Sequence, residues 1–400
     1  MTNLNTPQLR LKFTKAPEDG LLAALLLAFL STAGLFYVNL GGAFLSAFVD
    51  GLGLSLEAAG KITAANKYGA AFGALLAVFS TGRLAWRKVA YIVLISLILI
   101  DLTSMHISDP QVLMSVRFLH GTFGGFLVGT GFSVIAQTKS PDRVFGVLLV
   151  VQYSFGSIGI LCVPRLVAMY GYGAVFSTLI AFSLITLVLV PFIANYKSPV
   201  ASTSFAVKPI SWTSALPFCC ALSAIFAFQA ANMGTADYIF ELGKSAGLDL
   251  KQMSFLVSTA NWIAITGAVL VYMLGVRFGR AIPLVIGLLL SISGTFAFHW
   301  SDSPWVFFLA NAVTGVAWAF LIPYLLGLCA AFDQLGRSAA LAGFVSKMGL
   351  ASGPMIAASV VGDGNFDLII NLASGGLVLC MFVAFFPARL LDSKKTVEST

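Results

Sequence analysis

Five titratable side chains stand inside long apolar runs of this sequence. Lys67 lies in "ITAANKYGAAFGALLAVFS" and Lys347 in "GFVSKMGLASGP". Arg117 and His120 lie in "SVRFLHGTFGG", and Asp101 directly follows "YIVLISLILI". A charge at the centre of a membrane helix costs about 2.5–3.5 kcal/mol on insertion scales, so it faces a partner or a wet cavity. Lys67 and Lys347 are both roughly ten residues from the ends of their runs, too deep to snorkel. Arg117 and His120, three apart, share a helix face. Three cations against one acid at this depth suit the capture of an anion. Asp101 and His120 are candidate proton carriers, the imidazole because it titrates near neutral pH. The competing structural reading pairs Arg117 with Asp101 to hold helices together and bonds both lysines to backbone carbonyls. Asp237 and Glu241 are four apart, but they fall at the outer end of their run and read as solvated.

The elements that position these residues must be membrane helices. Of 400 residues, 58% are hydrophobic and 10% charged. A soluble domain carries roughly 25% charged residues, so the sequence lacks the material for a wet surface. Twelve stretches are long enough to cross the hydrocarbon: 20–48, 58–80, 89–108, 111–136, 143–166, 174–194, 213–240, 251–275, 281–300, 304–330, 338–361 and 367–387. The first 19 residues are polar, and the run after them is too long for a signal peptide, so it reads as a retained first span. The five cysteines lack metal-ligand spacing and read as small core residues. No nucleophile elbow or phosphate loop stands in a plausible context. The reading is of a non-enzyme that needs no cofactor.

Charge tests the topology. With the N-terminus inside, the inner segments hold sixteen of the 23 Lys and Arg residues, from Arg10 to Lys395. The outer loops hold Lys244 and Lys251 against Asp50, Glu57, Asp109, Glu241, Asp249, Asp302 and Asp363. This is the positive-inside pattern, which predicts that both termini are cytoplasmic. It also explains the net charge of +7 without a nucleic-acid partner. Residues 1–19 and 389–400 are then short cytoplasmic tails, and the partner of the chain is the lipid bilayer itself.

A repeat divides the chain. The polar stretch 195–212 falls at its middle. A shift of 194 residues lays Gly73 on Gly267, Arg83 on Arg277, Gly121 on Gly315, Arg143 on Arg337 and Gly159 on Gly353. It also lays Lys67 on Asn261 and Tyr153 on Lys347. The expected architecture is an all-α membrane protein. Two pseudo-symmetric six-helix bundles, 20–194 and 213–388, are joined by a cytoplasmic linker. In such proteins the substrate site lies between the halves near the midplane.

The chain resembles the major facilitator superfamily over essentially its whole length. The loop between spans two and three, "VFSTGRLAWRK", keeps the family's basic residues as Arg83, Arg87 and Lys88, but has Gly82 at the acidic position. The copy between spans eight and nine, "LGVRFGRA", keeps Arg277, Gly279 and Arg280, with Val276 at that position. Arg117 followed by Gly121 matches the family's fourth-span motif, while the span-five antiporter motif is poor, with Val163 before Pro164. The resemblance implies a gating role for Arg83, Arg87, Lys88, Arg277 and Arg280, and a possible proton-coupling role for Arg117. It also implies a cavity lined by spans one, four, seven and ten with parts of two, five, eight and eleven. On those spans stand Tyr37, Asn39, Gln152, Tyr153, Gln229, Asn232, Asn261 and Asn311, with Trp262 and Trp318 as aromatic walls.

The function expected from these readings is secondary transport, by alternating access, of a small organic anion such as a monocarboxylate or aromatic acid. Lys67 and Lys347 would clamp the anionic group from opposite halves, with Arg117 a further candidate cation. The proton is the expected coupling ion. A monomer in a bacterial inner (plasma) membrane is the expected form. The alternatives are a drug or metabolite exporter of the same fold, or a membrane sensor without transport.

Overall fold

The computed structural model describes residues 15–80, 84–196, 212–275, 277–332 and 337–398. Fourteen α-helices form the described chain: α1 (Leu21–Asn39), α2 (Gly41–Leu52), α3 (Leu56–Ser80), α4 (Trp86–Ser104), α5 (Pro110–Ile135), α6 (Pro141–Tyr170), α7 (Gly173–Leu189), α8 (Trp212–Ala236), α9 (Ile239–Ser245), α10 (Leu250–Leu274), α11 (Ala281–Phe296), α12 (Pro304–Ala330), α13 (Arg337–Val360) and α14 (Phe366–Glu398). Local chemistry sets their ends. Ser55 caps α3 by accepting from the Ala58 amide at 3.2 Å. Asp109 caps α5 by accepting from Val112 at 2.8 Å, with Pro110 in the first turn. Gly53 closes α2 in the left-handed region, at φ 64°.

Eleven helices are long and apolar enough to cross a membrane. The expected third span, α4, falls outside that number. It is 19 residues long and carries Arg87, Lys88 and Asp101. The first and seventh spans are each broken in two. α1 gives way to α2 at Leu40, and α8 gives way to α9 at Asp237 and Tyr238. α14 runs well past residue 387, where the sequence reading ended the last span. Most of the expected linker, residues 197–211, lies outside the described residues.

The helix boundaries carry the 194-residue repeat. α3 (Leu56–Ser80) maps end to end onto α10 (Leu250–Leu274), and Pro110 at the start of α5 maps onto Pro304 at the start of α12. The caps repeat as well: Asp249, which accepts from Lys251 at 2.9 Å, stands where Ser55 stands in the first half.

Small residues bring α3 and α5 together. A Cβ at Gly69 or Gly73 would overlap the backbone of Phe118 or Thr122, and one at Gly121 or Gly125 would overlap that of Asn66 or Ala70. The two helices therefore touch backbone to backbone, which is the intramolecular use of spaced glycines. This contact fixes Asn66 and Lys67 on α3 relative to Arg117 and His120 on α5.

The halves meet unevenly. At the face opposite the termini, one apolar core runs from the first half into the second through Tyr238, Phe240, Leu242, Val257, Phe307 and Ile369. At the face of the termini the second half has its own separate core, with Phe218, Leu284, Leu325 and Leu328. The molecule is thus closed between its halves at the face opposite the termini.

Candidate functional site

Inside the first half, α3, α4 and α5 converge on a buried polar network. Arg117 donates to Asp101 Oδ1 at 2.8 Å, to Ser104 Oγ at 2.5 Å and to the Ile100 carbonyl at 3.4 Å. Asp101 and Arg117 are wholly buried. His120 Nε2 faces Asp101 Oδ2 at 3.4 Å. Asn66 Nδ2 donates to the Arg117 carbonyl at 3.0 Å and lies 2.9 Å from His120 Nδ1. A carbonyl can only accept, so Nδ2 is correctly oriented as the donor, and Nδ1 must accept from it. The imidazole proton then sits on Nε2, pointing at Asp101. The rings of Phe176 and Tyr37 cover the guanidinium at 5.0 and 5.9 Å. Both proton-carrier candidates, Asp101 and His120, are therefore in one cluster with Arg117, which is ion-paired rather than open to a cavity. Tyr37 is buried against this cluster, and its hydroxyl has no hydrogen-bond partner among the described residues.

The second feature corrects the sequence reading. Lys67 does not face an acid-free cavity. Its ammonium is paired with the carboxylate of Asp237, with side-chain exposures of 1% and 2%. Asp237 was read as solvated because it follows the last apolar residues of span seven. The break between α8 and α9 instead turns it inward at the depth of Lys67. Further ties join the halves at the same face. Tyr238 donates to the Leu56 carbonyl at 3.0 Å. Lys244 reaches Ser46 Oγ at 2.9 Å, Asp50 at 2.5 Å and Glu241 at 2.7 Å. Tyr68 and Ser352 share a hydrogen bond of 2.9 Å between α3 and α13. Polarity reverses between the two ionic levels: the first half supplies the cation at Lys67 and the anion at Asp50.

The third cluster lies in the second half. Gln229 on α8 donates to Ser346 Oγ on α13 at 2.8 Å and accepts from the Trp318 indole on α12 at 2.9 Å. Lys347, next to Ser346, is half-buried and has no ion-pair partner among the described residues. It stands nine residues before the lipid-exposed Ile356. At 100° per residue that spacing puts it on the opposite side of α13, turned from lipid toward the interior.

The remaining candidates separate. Asn39 donates to the Gln152 carbonyl at 3.3 Å, tying α1 to α6. Asn232 and Asn311 bond carbonyls of their own helices, Phe228 and Phe307, both at 2.8 Å. Tyr153 has a buried hydroxyl without a hydrogen-bond partner among the described residues. Asn261 is half-buried, and its neighbour Trp262 is 45% exposed.

Of the gating candidates, Arg83 lies outside the described residues. Arg87 stays within its own half. It donates to the carbonyls of Val190, Ile193 and Ala194 at 2.6, 2.7 and 3.0 Å, just beyond α7, while Lys88 is exposed. This arginine satisfies helix-end carbonyls, which carry the negative pole of the helix. In the second half the polarity is inverted. Asp392 on α14 accepts from the amides of Arg280 and Ala281 at 2.9–3.0 Å, at the positive N-terminus of α11. An acid from α14 thus stands at this loop, whose own sequence has Val276 at the motif's acidic position. Arg277 is exposed. Sequence reasoning passed over Asp392 and Ser346 because each acts through a distant helix. Asn66 was legible in principle, since it sits beside Lys67 in the same apolar run.

Comparison with known proteins bears on the fold. A family model described as "Sugar (and other) transporter" matches residues 210–325. Solved structures match nearly the full length. The nucleoside transporter NupG is 16% identical, covers 92% of this chain and 99% of its own, and superposes with a TM-score of 0.71. A D-xylose-proton symporter is 18% identical, covers 90% and 95%, and superposes at 0.67. The human organic anion transporter MFSD10 (TETRAN) is 16% identical, covers 92% and 100%, and superposes at 0.64. No curated protein matches the chain. The chain has the major facilitator fold, as its loop motif and repeat implied, and is an integral multi-pass membrane protein.

Proposed function

We propose that this protein is a secondary transporter of a small organic anion, coupled to protons and working by alternating access. The observation that carries this reading is Lys347. It is a half-buried ammonium at mid-helix, turned from lipid, without an ionic partner among the described residues. A cation left uncompensated at that depth is a binding site for a negative group. Lys67 enters the clamp conditionally. While the face opposite the termini is closed, Asp237 neutralises it. When that face opens, Asp237 withdraws with the second half and Lys67 is free to hold a carboxylate. The Asp101–His120 pair supports proton coupling, because a proton on either group changes the charge balance around Arg117. Arg83, Arg87, Arg277 and Arg280 are proposed as supports of the terminal face, with Arg87 acting through the end of α7.

A second reading rests on the Gln229–Ser346–Trp318 trio. Neutral hydrogen-bonding groups beside an indole suit a hydroxylated neutral substrate, and the transporter model covers Gln229 and Trp318. One experiment separates the two. Purified protein is screened by thermal shift against small carboxylates, neutral sugars and nucleosides, since a ligand of the folded state raises its apparent stability. Carboxylates should raise Tm, and Lys347→Gln should remove that shift. Lys347→Arg should restore it in part, because a guanidinium is larger and planar. A shift with sugars or nucleosides alone would favour the neutral reading.

A further inference from the structure

One cavity of the second half is lined by none of the buried ion-paired residues. It is an apolar groove of about 510 Å³ on α8, between α13 and α14. Ser223 is the one polar side chain in its wall. It opens onto the lipid-facing surface, where Ile356, Leu372 and Leu379 are 47%, 46% and 58% exposed. The groove runs along α8 from Leu222 to Gly234, from mid-depth toward the face opposite the termini.

The first half explains why the groove exists. Between the matching helices α1, α6 and α7, the same space is filled by four phenylalanines. Phe29 meets Phe155 at 5.2 Å and Phe182 at 5.4 Å; Phe182 meets Phe36 at 4.5 Å and Phe155 at 5.3 Å, between ring centroids. The 194-residue offset that aligns α3 with α10 carries these four positions to Ser223, Gly349, Gly376 and Ala230. Ser223, Ala230 and Gly376 line the groove, and Gly349 packs on the backbone of Phe226, another wall residue. All four rings of the first half are thus missing from the second, and the void stands where they would be.

We propose that this groove binds the acyl chain of a bilayer phospholipid, drawn from the leaflet at the face opposite the termini. Three features commit it to hydrocarbon. The fold fills the equivalent place with apolar rings. The wall offers almost no hydrogen bonds, which suits neither a carboxylate nor a sugar. The groove is also continuous with the surface that already meets lipid, so an acyl chain reaches it without crossing a polar layer. The lost dispersion contacts of an empty groove give the chain its affinity.

The test uses the full-length protein in nanodiscs of phosphatidylcholine whose acyl chain carries a diazirine. After irradiation, labelled peptides are mapped. The α8, α13 and α14 segments around the groove should label more heavily than Phe382, which is 69% exposed to lipid outside it. Gly376→Phe should cut groove labelling severalfold and leave Phe382 unchanged. The substitution fits, because a Cβ at Gly376 meets only the Ala231 Cβ, at 3.6 Å. The reciprocal variant, Phe182→Gly, should create a new labelled site between α1, α6 and α7, and it keeps the test decisive should Gly376→Phe fold poorly. Groove labelling equal to that at Phe382, or unmoved by both variants, would overturn the proposal. So would displacement of the label by a water-soluble carboxylate, which would make the groove a substrate site.

Discussion

Replacing Asp237 by asparagine removes one charge from a pair that bridges the halves and leaves Lys67 buried. The pair is nearly inaccessible to water, at 1% and 2% exposure. Stripping one partner from a buried pair costs about 3–5 kcal/mol, because the remaining charge stays desolvated. Asparagine still offers a carbonyl oxygen to the ammonium, so the lower figure applies, about 3 kcal/mol. The penalty falls on one conformation only. When the halves part at the face opposite the termini, the cleft admits water and Lys67 is hydrated whether or not position 237 carries charge. At 1.4 kcal/mol per decade, the open population should therefore rise by roughly a hundredfold. Ile239 reports on this. It is 4% exposed and packs under Gly42 of α2. In a background without the five native cysteines, Ile239→Cys should label slowly with a membrane-impermeant maleimide, and Asp237→Asn should speed that labelling about a hundredfold. The double variant Lys67→Gln with Asp237→Asn should label far more slowly than Asp237→Asn alone, since two neutral groups can remain buried and bonded. Equal labelling in the wild type and Asp237→Asn would refute the argument. So would a double variant as open as the single one, since packing rather than charge would then hold the face.

Asp101→Asn should lower unfolding stability by about 3–5 kcal/mol, measured as the midpoint of denaturant unfolding in detergent, because it leaves Arg117 buried and unpaired. Asn66→Ala removes the donor to His120 Nδ1 and should alter the pH profile of transport in proteoliposomes more than the affinity for substrate. Arg87→Ala should lower Tm without changing maximal transport, through loss of its bonds to Val190, Ile193 and Ala194; a selective loss of transport would instead restore a gating role. Lys208→Cys, in the linker outside the described residues, should label from the cytoplasmic side only.

The fold was largely legible because membrane solvent writes it in bulk composition. Runs of apolar residues marked the spans within a few residues, while the close α3–α5 contact emerged only from the structure. The 194-residue offset, chosen from five landmarks, coincides with helix ends. What composition does not encode is a bend. The break after Ala236 decides whether Asp237 meets water or Lys67, and an apolar run looks the same straight or broken. The pairing of Arg117 with Asp101 was visible as an alternative, since both stood at similar depth in adjacent spans. Ser346 and Asp392 were hidden for another reason: their partners, Gln229 and the N-terminus of α11, are more than a hundred residues away in sequence. The four missing phenylalanines were readable from the offset alone, but only the cavity gives their absence a meaning.

The repeat also shows how labour is divided between halves that share one backbone plan. The offset carries Asp101 to Thr295, Arg117 to Asn311, His120 to Thr314 and Lys67 to Asn261. Every charged or titratable member of the buried network thus has a neutral mate. The second half answers with the Gln229–Ser346–Trp318 trio and Lys347. The buried Asp101–Arg117–His120 cluster thus lies in one half, and the neutral trio, with a cation that has no ion-pair partner among the described residues, in the other. α3 is the element that touches both the cluster and the interface. Asn66 points its amide at His120, while the next residue, Lys67, pairs with Asp237 across the interface. A proton added at His120 Nδ1 removes the acceptor that Asn66 uses, so the amide must turn or part from the ring. The backbone contact of α3 with α5 through Gly69, Gly73, Gly121 and Gly125 leaves little room for independent sliding. A change at the proton site is therefore felt one residue away from the ion pair that closes the molecule.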